Sequence, residues 1–308
     1  MSLAEPTLDD AGPVLGSPRS RAWDEPTGLR LVARYALLVV IAVVVMAPVY
    51  LTLLGAVTPA SRVIQNRLVP GELTLSVFVD AWTEAKLGRF LLNSTVVALT
   101  VTLAQLITSL LSGYAFANLR FPGRKVLYFG FLSTLLVPFE ATVVANIDTV
   151  QRRGERDGIL APLSASGGLD SLRALALPFL ATAVGTFLVR QAILDLPQDL
   201  VDASRLDGLG HVGFIRRVAL PLVRPTLAAL ALFSFLSTWN QYLWPRLVIS
   251  TERRHTVQSG LQVLQGRALD EPNLVLAGTV IAALPILAAI IGFQRHLVRG
   301  LTAGAVKG

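Results

Sequence analysis

Polar and apolar positions are segregated along this chain into blocks. From Tyr35 to Ser61 there is no charged residue, and at 1.5 Å per residue such a helix crosses a hydrocarbon core of about 30 Å. Phe90 to Leu119 is a second charge-free run, longer still, which predicts a tilted helix or protruding ends. Val126 to Ile147 is a third, interrupted by Glu140. Ala174 to Val189 has only sixteen residues, so the flanking Arg173 and Arg190 are expected to snorkel to the interfaces. The fifth and sixth runs lie between Arg224 and Arg246 and between Glu271 and Arg295. The pattern predicts six spans, near 31–57, 90–118, 126–149, 173–194, 222–247 and 273–296, and an all-α integral membrane protein.

Composition agrees. Hydrophobic residues make up 53% and charged residues 15%, against about 45–50% and 25% for a soluble domain. With no cysteine, disulfides and thiolate metal sites are excluded. The net charge of +7 reads as basic residues in cytoplasmic loops, with membrane lipid and not nucleic acid as the partner. Residues 1–30 carry prolines among acidic and small residues and no apolar periodicity, which predicts a disordered cytoplasmic tail ahead of a membrane domain over 31–308. It lacks the short apolar core and cleavage site of a signal peptide. The loop Asn118–Lys125 holds Arg120, Arg124 and Lys125 and no acid, so it is expected on the cytoplasmic side. An even number of spans then places both termini, and the segment Pro197–Pro225, on that side.

That segment, PQDLVDASRLDGLGHVGFIRRVALPLVRP, separates spans four and five. Pro197 suits a first helical position, and Asp199 and Asp202 suit the positive end of the helix. Leu200, Ala203 and Leu206 fall on one side, and Gly208 stands where a left-handed cap is wanted. The pattern predicts a short amphipathic helix outside the bilayer, shaped to dock in a groove of another protein.

Asp202-Ala203-Ser204, then Gly208, Val218 and Leu220-Pro221, resembles the EAA loop of ABC importer permeases, with Asp202 for Glu and Ser204 for the second Ala. Trp239 to Pro245, WNQYLWP, and the C-terminal run Gly300 to Gly308 are similar to the MalG-like permeases of carbohydrate importers. The resemblance implies a type I importer permease fold in the bacterial inner membrane and a non-catalytic role. It implies partners: a second related permease, two ABC ATPase subunits that use ATP and Mg, and an extracytoplasmic solute-binding protein. The coupling positions would be Leu200, Asp202, Ala203, Ser204, Arg205, Leu206, Asp207, Gly208, Leu220 and Pro221. Leu200, Ala203 and Leu206 would be buried by the ATPase, and Ala203 and Ser204 would let it approach closely. The implied cargo is a sugar or polyol, with glycerol 3-phosphate or a glycerophosphodiester as the alternative.

Two places suggest a solute path. Glu140, two residues after Pro138, is a carboxylate expected at membrane depth, where it faces a water-filled route, a partner side chain or the interface. Trp239, Asn240, Gln241 and Tyr242 combine amides for hydroxyl groups with faces for sugar rings. For Trp244 an interfacial aromatic belt is the alternative. His211, His255 and His296 have no ligand spacing, and no phosphate-binding Gly-rich motif exists, so no cofactor is expected on this chain. An ion-driven secondary transporter is the competing class; it usually carries more spans and paired discontinuous helices.

Overall fold

The computed structural model describes residues 28–65, 72–155 and 168–305, and within them every regular element is helical. The order begins α1 (Leu29–Val57), α2 (Ala60–Ile64), α3 (Ser76–Thr83), α4 (Leu87–Asn118), α5 (Arg124–Ser133), α6 (Phe139–Glu155) and α7 (Leu172–Ala176). It continues α8 (Ala183–Leu194), α9 (Gln198–Leu206), α10 (His211–Leu222), α11 (Arg224–Trp239), α12 (Leu243–Val248), α13 (Val257–Gln265) and α14 (Pro272–Ala305). Of the expected tail, residues 1–27 lie outside the described residues, as do the side chains of the C-terminal run from Gly300.

Among the described residues three helices are long and apolar enough to cross a membrane, and three bent pairs bring the candidate spans to six if each pair counts as one. The continuous ones are α1, α4 and the apolar part of α14, Pro272–Gln294. The bent ones pair Arg124–Leu136 with Phe139–Gln151 at 105°, Leu172–Phe179 with Ala183–Leu194 at 48°, and His211–Leu222 with Arg224–Trp239 at 77°.

The bends have local causes. Val137 is extended, with φ −89° and ψ 112°, because the ring of Pro138 disfavours a helical residue before it. The third expected span is therefore corrected from one helix to two at a sharp angle. Thr182 is extended after a 3₁₀ turn that contains Pro178. Val223 lies between α10 and α11, ahead of Pro225 in the first turn of α11. The fifth span is also corrected: α11 stops at Trp239, and residues 240–247 form a turn and most of α12.

Residues to Leu51 and residues from Thr52 form two compact units. The described part of the first is α1 as far as Leu51, apolar on all sides from Tyr35 onward as a lipid-solvated helix is. The second is organised along α4, whose 32 residues reach about 48 Å at helical rise. Three apolar clusters are strung on it. Leu87 and Phe90 pack with Trp239, Val257 and Leu274. Val97 and Val101 pack with Ala174, Leu175, Trp244 and Val248. Tyr114 packs with Val189, Phe214, Val223 and Leu230.

Carbonyls freed by the break between α7 and α8 are not left to lipid. Gln105 donates Nε2 to Phe179 O at 2.8 Å, and Thr108 donates its hydroxyl to Leu180 O at 3.1 Å. Ser234 on α11 donates to Gln105 Oε1 at 2.6 Å and fixes that amide. Irregular backbone is tolerated at membrane depth only where protein or water satisfies it. Arg190, expected to snorkel, reaches the last turns of α4, where Nε meets Phe116 O at 3.3 Å and the guanidinium lies 4.3 Å from the Tyr128 ring centre.

Candidate functional site

At one end of α4 stands the loop between spans four and five. Pro197 precedes α9 with φ −54° and ψ 128°, Asp199 is in its first turn and Arg205 in its last, each favourable to the helix dipole. Asp202 Oδ1 accepts from Gln198 Nε2 at 3.2 Å and from Arg205 Nη1 at 2.9 Å. Gly208 has φ +70°; its N–H bonds Arg205 O and the N–H of Leu209 bonds Ser204 O, both at 3.0 Å. This is a Schellman end, and the expected left-handed cap is present.

α9 has two faces. Leu200 is 43% and Leu206 is 90% exposed, and Ala203 is exposed beside them, an apolar face left open among the described residues. Ser204 is corrected: it is buried at 4% exposure, with its hydroxyl on Val201 O at 2.6 Å. It faces the body of the chain, so close approach by a partner falls to Ala203. Asp207 ends the helix, and Leu220 and Pro221 begin the last turn of α10, half-buried. The wide π turn Ile215–Ala219 comes just before Pro221, where the missing proline N–H leaves the carbonyl four residues back without its usual donor.

Two residues that sequence reasoning left out join this loop to the membrane. Tyr114 on α4 and His211 at the start of α10 meet with Oη 2.7 Å from Nδ1. Phe214 lies 5.9 Å from the same tyrosine ring. Tyr114, Asn118, Ser204, Arg205, His211 and Phe214 are among the residues around a cavity of about 230 Å³. The scattered histidines gave no signal of this, because the partners are 97 residues apart.

At the opposite end of α4, Asn93 donates to Arg253 O at 3.0 Å and His255 O at 2.9 Å, and Ser94 accepts from Val257 N at 2.8 Å. Helical rise puts Asn93 about 30 Å from Tyr114, one hydrocarbon thickness. Asp170 ties the loop before α7 to the same segment. It accepts from the Thr251 hydroxyl at 2.5 Å, Thr251 N at 2.9 Å, Ser250 N at 3.1 Å and Arg254 Nη1 at 3.4 Å. The Thr251 hydroxyl first, then these amides and Arg254, hold its carboxyl below the ordinary carboxylate range. Glu252 is lowered likewise, by Lys86 at 2.7 Å.

The expected solute-path residues separate here. Trp239 is 1% exposed and stacked on Phe235 with ring centres 5.5 Å apart; it is core, corrected from a ring platform. Trp244 is also 1% exposed, donating Nε1 to Ala174 O at 3.0 Å with Phe139 against it edge-on, so the interfacial-belt alternative fails. Asn240 and Tyr242 are exposed and Gln241 is half-buried. Asn240 Oδ1 accepts from Gln258 at 3.3 Å, and Tyr242 accepts from Arg246 at 2.8 Å. Glu140 is exposed in the first turn of α6, where free N–H groups favour a carboxylate, and among the described residues it bonds none of these side chains.

The family model for the binding-protein-dependent transport system inner membrane component matches residues 32–303. The sn-glycerol-3-phosphate transport system permease protein UgpE of Pectobacterium atrosepticum is 32% identical over 277 residues, 87% of this chain and 94% of that protein. The protein of the same name from Salmonella choleraesuis is 31% identical over 284 residues, 89% and 96% of the two chains. A bacterial ABC transporter involved in the import of the acidic polysaccharide alginate has a chain of the same fold, with TM-score 0.74 at 19% identity, covering 88% of this chain and 99% of that one.

Proposed function

This chain belongs to the family of binding-protein-dependent transport system inner membrane components, and we propose that it is the subunit through which a sugar or polyol enters the cell under the drive of separate ATPases. The carrying observation is α9: a short helix with a rigid Schellman end and an uncovered apolar face of Leu200, Ala203 and Leu206. Such a helix suits a cleft in another protein. Two ATPase subunits using ATP and Mg would grip it on the cytoplasmic side, where both termini would also lie. A second related permease would complete the pore, and an extracytoplasmic solute-binding protein would deliver cargo at the Asn93 end. When the ATPases close, the displaced α9 would pull on α4 through His211 and Tyr114. For cargo, the relatives named for sn-glycerol 3-phosphate are consistent with the phosphate-bearing alternative, and the sugar or polyol reading stands beside it.

The chain has no cysteine of its own, so single cysteines report cleanly. Leu206→Cys should cross-link to the ATPase and resist a membrane-impermeant maleimide added to intact cells, whereas Thr251→Cys should react from outside. Labelling of Leu206→Cys from outside would overturn the coupling role.

A further inference from the structure

Beyond Trp239 the chain leaves α11 through Asn240 and Gln241 and re-enters helix at α12. Arg246 lies exposed on α12. Trp244 and Val248, two residues to either side of it, pack in the cluster of Val97 and Val101. Those α4 residues are one to two turns deeper than Asn93, which anchors the outer loop. A guanidinium at such a depth faces water or another protein surface, not lipid.

Its hydrogen bonding is lopsided. Nη1 donates to the Tyr242 hydroxyl at 2.8 Å and also meets Gln262 Oε1. Among the described residues Nε and Nη2 have no partner, and no carboxylate is in ion-pair range. The edge formed by Nε and Nη2 is one that binds two oxygens of a carboxylate or phosphate side by side. Around it stand neutral groups suited to hydroxyls. Gln258 and Gln262 are one turn apart on the same side of α13, Gln258 is bonded to Asn240 at 3.3 Å, and the Tyr242 ring centre is 5.9 Å from the guanidinium carbon.

Resting on the importer reading above, we infer that Arg246, with Asn240, Tyr242, Gln258 and Gln262, is a binding surface in the solute path for an anionic polyol. Arg246 takes the acidic group, a phosphate or a carboxylate, and the amides take the hydroxyls. The surface shares Asn240 and Tyr242 with the set expected from sequence, replaces the buried Trp239, and adds a charge that selects the class of cargo. If these contacts were only struts between α12 and α13, removing the charge would weaken the protein without distinguishing one solute from another.

The test uses the complete importer, with its ATPase, partner permease and binding protein, in proteoliposomes offered radiolabelled sn-glycerol 3-phosphate, a uronic-acid trisaccharide and maltose. Wild type is expected to carry at least one of the two anions. Arg246→Gln should lower kcat/KM for that anion by about ten- to a hundredfold, the size of losing one or two charge-assisted hydrogen bonds. Arg246→Lys should keep part of the rate, as a point charge without the fork. Gln262→Glu, which sets a carboxylate against the guanidinium, should reproduce the loss without removing it. Yield of assembled complex and its Tm serve as the folding control. Anion uptake by Arg246→Gln at the wild-type rate overturns the site, as does an equal loss for anion and neutral sugar together with a fallen Tm. A wild type that carries maltose alone removes the anion site and leaves the importer reading standing. A complex that moves none of the three counts against both.

Discussion

The Tyr114 hydroxyl lies 2.7 Å from Nδ1 of His211, joining the long membrane helix α4 to the helix that follows the exposed helix α9. Around this bond, Phe214 and Val223 are buried with Tyr114 in one cluster. A push on α9 therefore meets a packed junction, not a loose loop.

Tyr114→Phe keeps the ring and loses the bond, which is worth about 0.5–1.5 kcal/mol net. Solute moved per ATP hydrolysed should fall severalfold in proteoliposomes while the amount of assembled complex stays level. If the bond is the linkage, adding His211→Leu to Tyr114→Phe should cost little more than either change alone. Fully additive losses would dissociate the two residues.

Gly208 holds φ +70°, and a Cβ there would meet nothing within 4 Å. The constraint is conformational, with a cost of about 1–2 kcal/mol for an ordinary L residue. Gly208→Val should insert in the membrane normally yet lose uptake, and Gly208→Asn should retain most of it. Equal uptake by both variants would remove the cap from the coupling argument.

Gly185 behaves differently, since a Cβ at this position would touch Ser109 Oγ and lie 2.8 Å from Thr182 Cγ2 and 2.9 Å from Leu230 Cδ2. Overpacking of this kind costs about 1–3 kcal/mol. Gly185→Val should lower Tm in detergent clearly, and Gly185→Ala less so. An unchanged Tm for the valine variant would contradict the close packing of α8 on α4.

Asp170 gives a pH dependence with a definite sign. Its folded carboxyl is held lower than its unfolded value by Thr251, Ser250 and Arg254. Its contribution is thus complete above the unfolded pKa of about 3.9 and disappears as pH falls through the folded value. Asp170→Asn, which tolerates the same left-handed backbone (φ 65°), should have a lower Tm than wild type at pH 7, and the gap should narrow as pH falls below the unfolded value of about 3.9. A gap that ignores pH would mean that charge is not what joins these loops.

Much of this protein could be read from local pattern. The six charge-poor runs correspond to three continuous helices and three bent pairs, because a span must be apolar over a fixed length and that demand is met residue by residue. Gly208 and Pro138 were legible for a similar reason, since each dictates its own backbone wherever the chain goes. That Leu200, Ala203 and Leu206 share one side of a helix followed from helical spacing alone; their exposure is seen in the structure.

Burial at the helix breaks was decided only in three dimensions. Trp239 and Trp244 stand beside Asn240 and Tyr242 in sequence, yet the first two are core and the last two are exposed. The difference depends on which side of each short helix meets α4, α7 and α13, and no spacing within the chain records that. Ser204 turned inward for the same reason. Tyr114 with His211, and Arg246 with Gln262, became pairs because separate helices pack side by side, a consequence of packing that pattern in a single stretch does not contain.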